Sequence, residues 1–240
     1  MIQYDPSFAC HRSILTDADR RWLHRLSKIY PLTRLKADHR HYGEIQGDFV
    51  YTSALIEDTT YERVDADNLL RFGVTAGGKR YSDAVMLVNL RNGFETVMTI
   101  GPGDQIDLNY VCDLHKVLMS DLLPSQALGA VRTSNVQIIG STYTPLSQAS
   151  RLRAEMAFVL SQAMKLSDPF EQAIQLHCNL AYLLFFRAGN KRVARLIQTA
   201  ALVRSDVLPL LFKDSLIGKY QKATLHYYET GEYTSYVEFF

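Results

Sequence analysis

Residues 170–186, FEQAIQLHCNLAYLLFF, become apolar on nearly every side toward their C-terminal end. A helix without a polar face cannot lie on a surface, so this one is expected to run through the middle of the core. The run breaks at Gly189. Asn190 then reads as the N-cap of KRVARLIQTAALV, in which Val193, Ala194, Ile197 and Ala201 mark an inward face at helical spacing. The pattern predicts a helix, a tight loop and a second helix whose free N–H groups and positive dipole end face the loop. Such an end attracts phosphate before any side chain is counted. Arg192 and Arg195, three apart, add two guanidiniums on one face near it. On spacing alone, two arginines in the first turns of a helix are as readily solvated cations as phosphate ligands.

The remaining sequence supplies mostly helices to build that core. Thr16 or Asp17 caps a stretch to about Leu32, with Trp22, Leu23, Leu26, Ile29 and Tyr30 at helical spacing. Residues 51–58, 81–92, 105–121, 150–165, 168–186, 190–204 and 213–229 read the same way. The exception is VRTSNVQIIGSTYTP at 131–145, where β-branched residues, a Gly-Ser pair and Pro145 predict a short hairpin on a helical body. The expected fold class is therefore all-α with one short β-hairpin. A chain of 240 residues, 47% hydrophobic, suffices for one substantial core or a core with a small appendage, and no repeat or linker divides it.

Charge and cysteine usage narrow the function classes. With 26 Lys and Arg against 25 Asp and Glu, no field over the whole surface draws nucleic acid or an acidic membrane, so neither is an expected partner. Any anion site must be local. Cys10, Cys112 and Cys178 are odd in number, far apart and without metal-ligand spacing, and no apolar leader precedes them. A reducing, cytoplasmic protein with no metal centre is the expectation. The densest apolar run, LAYLLFF at 180–186, is far shorter than the roughly 20 residues of a membrane span.

The stretch LFFRAGNKRVAR at 184–195 resembles the loop of the Fic family of nucleotidyl transferases, written HxFx(D/E)GNGRxxR. Phe186, Gly189, Asn190, Arg192 and Arg195 match. Leu184 stands at the family's His, Ala188 at its acidic residue and Lys191 at its second Gly. Upstream, LGAVRTSNVQIIGSTYTP resembles the segment around the family's hairpin flap, through Gly129, Arg132, Val136, Ile138, Gly140, Tyr143 and Pro145. SALIED at 53–58 is similar to the inhibitory motif (S/T)xxxE(G/N), with Ser53 and Glu57 in place and Asp58 departing from it. The resemblance covers roughly residues 45–240, a Fic-like domain, leaving 1–44 as an N-terminal helical extension that forms one compact unit with it.

The resemblance implies roles. In the family the motif His takes the proton of a hydroxyl on a target protein, which attacks the α-phosphate of ATP. The acidic residue holds Mg²⁺, and the Gly-Asn backbone with the arginines receives the phosphate oxygens. A hydroxyl is a poor nucleophile until a base with a pKa near working pH accepts its proton. Leu184 cannot be that base. Mg²⁺ wants oxygen ligands that Ala188 does not supply. His177, seven residues back and roughly 10 Å away along the helix, reads as a packed core histidine. The implied reading is a Fic-fold protein that keeps the phosphate grip of Gly189, Asn190, Lys191, Arg192 and Arg195 and has lost its chemistry. ATP is the implied ligand, Mg²⁺ has no evident holder, and Lys191, as in the death-on-curing branch, adds a cation. Glu57 is implied to pair with Arg195 and hinder the terminal phosphate, Ser53 belonging to the same motif; an ordinary surface Glu is the alternative. A target or regulatory protein would bind at the flap, about 134–144, and a homo-oligomer is compatible with all of this. Two other functions stay open: a transferase using a non-standard base, and an interaction module in which Glu57 fills the cradle permanently.

Three further signals are set aside. GVTAGGK at 73–79 lacks the Ser or Thr of a phosphate loop, HRH at 39–41 has no further ligands and reads as a solvated loop, and the C-terminal aromatics read as core closure.

Overall fold

The computed structural model describes residues 2–138 and 140–240. Its helices are α1 Asp17–Ile29, α2 Leu32–Ala37, α3 His39–Leu55, α4 Arg63–Phe72, α5 Tyr81–Met98, α6 Leu108–Met119, α7 Ala149–Ala163, α8 Pro169–Leu183, α9 Asn190–Val203, α10 Ile217–Thr230 and α11 Thr234–Phe239. Two short strands, β1 Ile2–Gln3 and β2 Tyr143–Thr144, complete it. The fold class is all-α.

Helix α8 forms the centre that its composition demands. Asp168 caps it, accepting from the N–H groups of Phe170 and Glu171, with Pro169 in the first turn. Every residue from Phe170 to Leu183 is buried. Helix α9 packs along α8, α7 covers another side of it, and α5 joins α3, α6 and α9. Gly93 permits the close approach on α5: a Cβ there would stand 2.8 Å from the Leu196 side chain of α9 and 2.9 Å from Leu118 of α6. The N-terminal segment belongs to the same core. Tyr4 and Phe8 stack on Tyr182 of α8, and Ser13, Ile14 and Leu15 donate to the Glu171 carboxylate. A division at 44/45 falls inside α3, so it marks no break between structural units.

Several boundaries differ from expectation for local reasons. Thr16 caps α1, accepting from the Asp19 N–H, but Pro31 ends the run and starts α2, splitting the stretch expected to reach Leu32. The helix expected at 51–58 begins twelve residues earlier, at His39, because Asp38 caps it by accepting from the His41 N–H. The HRH triplet is therefore the first turn of α3 and not a loop. Helix α4 was not legible, and the GVTAGGK loop follows it with Lys79 paired to Asp65 at 3.1 Å.

The largest difference is the hairpin. Among the described residues, 131–145 forms no hairpin; β2 pairs in parallel with β1, Ile2 opposite Tyr143 and Gln3 opposite Thr144. The buried Arg132 explains the fold-back. Its guanidinium donates to the carbonyls of Leu184, Ser134 and Leu146, gathering the segment into an irregular loop over the end of α8. Ile139, inside the expected flap, lies outside the described residues. No helix among the described residues is long and apolar enough to cross a membrane.

Candidate functional site

The α8–α9 loop is held through its backbone groups, by Arg132 from outside and by the Asn190 side chain from within. Leu184 caps α8 in the left-handed region, φ 49° and ψ 53°, and its carbonyl accepts from Arg132 Nε at 2.6 Å. The Phe185 carbonyl accepts from the Arg132 N–H at 3.0 Å. Asn190 is not the N-cap. Gly189 takes that position at φ 77°, where a Cβ would meet Met119 Sδ at 2.6 Å. Asn190 instead turns back on the loop: its Oδ1 accepts from the Phe186 N–H and its amide donates to the Phe186 carbonyl, both at 2.8 Å. No side chain caps α9, which leaves its first N–H groups available at the loop.

His115 on α6 supports this loop from below and was not singled out in the sequence. It occupies an apolar-face position beside Val111, Leu114 and Leu118, where a histidine gives no signal distinct from core packing. Its ring stacks on Phe186 with centroids 3.8 Å apart. Nε2 lies 3.2 Å from the Ala188 carbonyl and Nδ1 accepts from the Gly129 N–H at 2.9 Å, which assigns the proton to Nε2. Burial, with a smaller contribution from Arg192, pushes its pKa down to about 4 from 6.5. The unfolded imidazole takes up a proton near 6.5 and the folded one only near about 4, so proton uptake favours unfolding in that window. Stability is expected to fall across it by on the order of 2 to 3 kcal/mol from His115. Urea midpoints at neutral pH and at the lower end of the window check this, with His115→Gln as the control. An unchanged slope in that variant would contradict the burial of a neutral ring. His177 also titrates well below its ordinary value, through burial, and adds in the same direction.

The two motif arginines converge on one carboxylate. Glu57 follows α3 by two residues. Arg195 Nη2 donates to its Oε1 at 3.0 Å, and Arg192 Nε stands 3.4 Å from Oε2. Arg195 is further held by the Ser53 carbonyl at 3.3 Å and the Tyr220 hydroxyl at 3.4 Å. Ser53 thus contributes its backbone. Asp58, which departs from the motif's Gly or Asn, adopts φ 56°, a left-handed conformation that Asp tolerates better than most residues. Burial pushes the Glu57 carboxyl up, but Arg195, Arg192 and more weakly Lys191 outweigh it and hold it below the ordinary carboxylate value. Three buried donors, Arg192 Nε and Nη1 and Arg195 Nε, have no hydrogen-bond partner among the described residues. The arrangement is a pair of buried guanidiniums whose donors are only partly satisfied by the protein's own carboxylate.

Leu184 is buried, and His177 is fully enclosed, its Nε2 at 3.1 Å from the Tyr220 hydroxyl and its ring stacked on Tyr236. Both histidines of the centre are engaged by structural partners. Among the described residues no three His, Cys, Asp or Glu side chains converge as a metal site, and Ala188 offers no side-chain oxygen. The residues present do not fit Mg²⁺, whereas the unpartnered guanidinium N–H groups fit phosphate oxygens.

Residues 105–202, which include α6 to α9 and this loop, match the family model of the Fic/DOC family. The chain carries a Fic/DOC region and has the Fic fold. Among curated relatives, protein adenylyltransferase fic-1 of Caenorhabditis elegans is 22% identical over 197 residues, 80% of this chain and 38% of that protein. Its counterpart in Caenorhabditis briggsae is 23% identical over the same shares. The chain thus spans about two fifths of the length of these relatives. Of solved structures, Fic-1 from C. elegans superposes with a TM-score of 0.78 at 18% identity, covering 92% of this chain and 66% of that one. A Fic domain containing signaling protein from Bacteroides thetaiotaomicron gives 0.77 at 18% identity, over 92% and 90%. These structural likenesses establish the Fic fold, and the site residues stand on their own geometry.

Proposed function

We propose that this Fic-fold protein binds a nucleotide or another phosphorylated ligand at the N-terminus of α9 and performs no transfer of its own. The observation that carries the reading is Glu57 bridging Arg195 and Arg192 while Leu184 occupies the place where the Fic loop has its base. A carboxylate held by two guanidiniums presents the charge and spacing of a phosphate edge, so a real phosphate competes with it for the same donors. Gly189 and Asn190 shape the turn, and Lys191, half-buried with no carboxylate in ion-pair range among the described residues, offers a third cation. ATP is the ligand to try first, because the similar fic-1 proteins are adenylyltransferases. No protein carboxylate on the loop would hold Mg²⁺, so on this reading binding depends little on the metal.

A protein partner would approach along 134–144. A cleft of about 820 Å³ lies there, lined by Tyr4, Val136, Ile138, Ser141, Pro145 and Arg151 among others. The competing reading, a module whose cradle is permanently closed, is favoured by the three partners that already hold Arg195. Thermal melting separates them. ATP at a hundredfold excess over its Kd is expected to raise Tm by about 5 °C, and Arg192→Ala to abolish the rise. No rise in the parent protein supports the closed module, and transfer of label from ATP to a protein would establish a working enzyme with another base.

A further inference from the structure

Helix α1 has no buried residue, which is unusual for a thirteen-residue helix in a protein of this size. It is attached by Leu23, half-buried against the core, by the edge contact of His24 with Phe170, and by charge. Arg20 reaches Glu171 at 3.0 Å and Asp168 at 3.6 Å, and His24 Nε2 lies 2.8 Å from Asp168. These contacts tie one face of α1 to the start of α8. About half a turn round, at i, i+4 and i+7, stand Trp22, Leu26 and Ile29, exposed by 60%, 42% and 66%. Large apolar side chains so exposed in a single stripe mark a contact surface.

The composition of the flank indicates what kind of contact. Arg21, Arg25 and Lys28 run along one edge of the stripe, all exposed, and none has a carboxylate in ion-pair range among the described residues. The stripe lies on the outward side of a single helix, opposite the face that Arg20 and His24 tie to α8. A tryptophan with aliphatic neighbours and a cationic edge suits the headgroup boundary of a bilayer, where the rings and chains enter the acyl edge and the cations meet lipid phosphate and carboxylate groups. The near-neutral charge of the whole chain leaves this local field intact.

We propose that the outward face of α1 docks on the surface of an anionic lipid bilayer, with Trp22, Leu26 and Ile29 inserted and Arg21, Arg25 and Lys28 held by the headgroups. The attachment is reversible and peripheral, and it leaves the α9 site free. Trp22 is the sole tryptophan of the chain, so tryptophan emission from the full-length protein, excited at the red edge where the tyrosines do not absorb, reports this face alone. Vesicles of phosphatidylcholine with a third phosphatidylserine are expected to shift its emission to the blue and to carry the protein down on sedimentation. Pure phosphatidylcholine vesicles do neither, and high salt reverses the effect. The double change Arg21→Glu, Arg25→Glu should weaken the apparent affinity at least ~10-fold with an unaltered melting curve. Leu26→Ser with Ile29→Ser should abolish the blue shift. The proposal is overturned by absence of any shift with anionic vesicles, or by an equal shift with neutral ones. It is equally overturned by a concentration-dependent dimer that shields Trp22 without lipid, or by a soluble acidic polypeptide that reproduces the shift at the same charge concentration.

Discussion

Glu57→Ala is expected to lower the stability of the ligand-free protein by about 2 to 3 kcal/mol while strengthening its hold on ATP. Removing one member of a buried ion pair typically costs about 3 to 5 kcal/mol, because the remaining charge is left without compensation. Here two guanidiniums lose the same carboxylate, but the Glu57 side chain is 22% exposed and water can reach part of the vacated space, which reduces the penalty. The two effects have opposite signs and one cause. Phosphate oxygens entering the vacated position satisfy the same donors, so ATP should restore most of the lost stability in the variant. Urea denaturation with and without ATP measures both. Because the folded carboxyl titrates below its unfolded value, the contribution of Glu57 is present at neutral pH and is lost as pH falls through the folded value. The difference between parent and variant should therefore shrink in acid. Equal stability of the two proteins at neutral pH would contradict the pairing.

Leu184→His with Ala188→Asp is expected to create transfer of AMP from ATP to a protein hydroxyl, where the parent shows none, the new base contributing on the order of 10² to 10⁴ in rate. The backbone favours this exchange. Leu184 sits at φ 49°, a conformation uncommon for a leucine and several-fold more frequent for histidine, so backbone relief offsets part of the cost of placing an imidazole at this buried position. The carbonyl contacts of Arg132 with residues 184 and 185 do not involve the replaced side chain and should persist. Position 188 is half-buried at the mouth of the loop, and its carbonyl, the acceptor for His115, is likewise retained. Label from ATP appearing on protein in the presence of Mg²⁺ is the readout, with the melting curve as a check on folding. A folded, ATP-binding variant that transfers nothing would show that this loop no longer has transferase geometry.

How far the sequence carried depended on whether a feature was set by local chemistry or by packing. Helix α8 was legible because an all-apolar segment admits one environment, and the turn at Gly189 because the chain must reverse there without a Cβ. The approach of Glu57 to Arg195 followed from motif order, and the structure brings the two side chains together. Asn190 departs from expectation: its type suits an N-cap, yet its side chain closes the loop on Phe186, a choice made by the geometry of the turn. The hairpin at 131–145 failed for a similar reason. Its β-branched residues favour extended backbone, but the partner for Tyr143–Thr144 is Ile2–Gln3, some 140 residues away in sequence. His115 and Tyr220 could not have been singled out, since their roles come from what they touch: Phe186 and the loop carbonyl in one case, Arg195 and His177 in the other.

The most direct test of the central claim is calorimetric titration of ATP, without Mg²⁺, into the parent protein, Glu57→Gly and Arg195→Ala. Competition between the carboxylate and phosphate predicts measurable binding to the parent, at least ~10-fold tighter binding to Glu57→Gly, and none to Arg195→Ala. Equal affinity in all three proteins, or tighter binding when the guanidinium is removed, would contradict it.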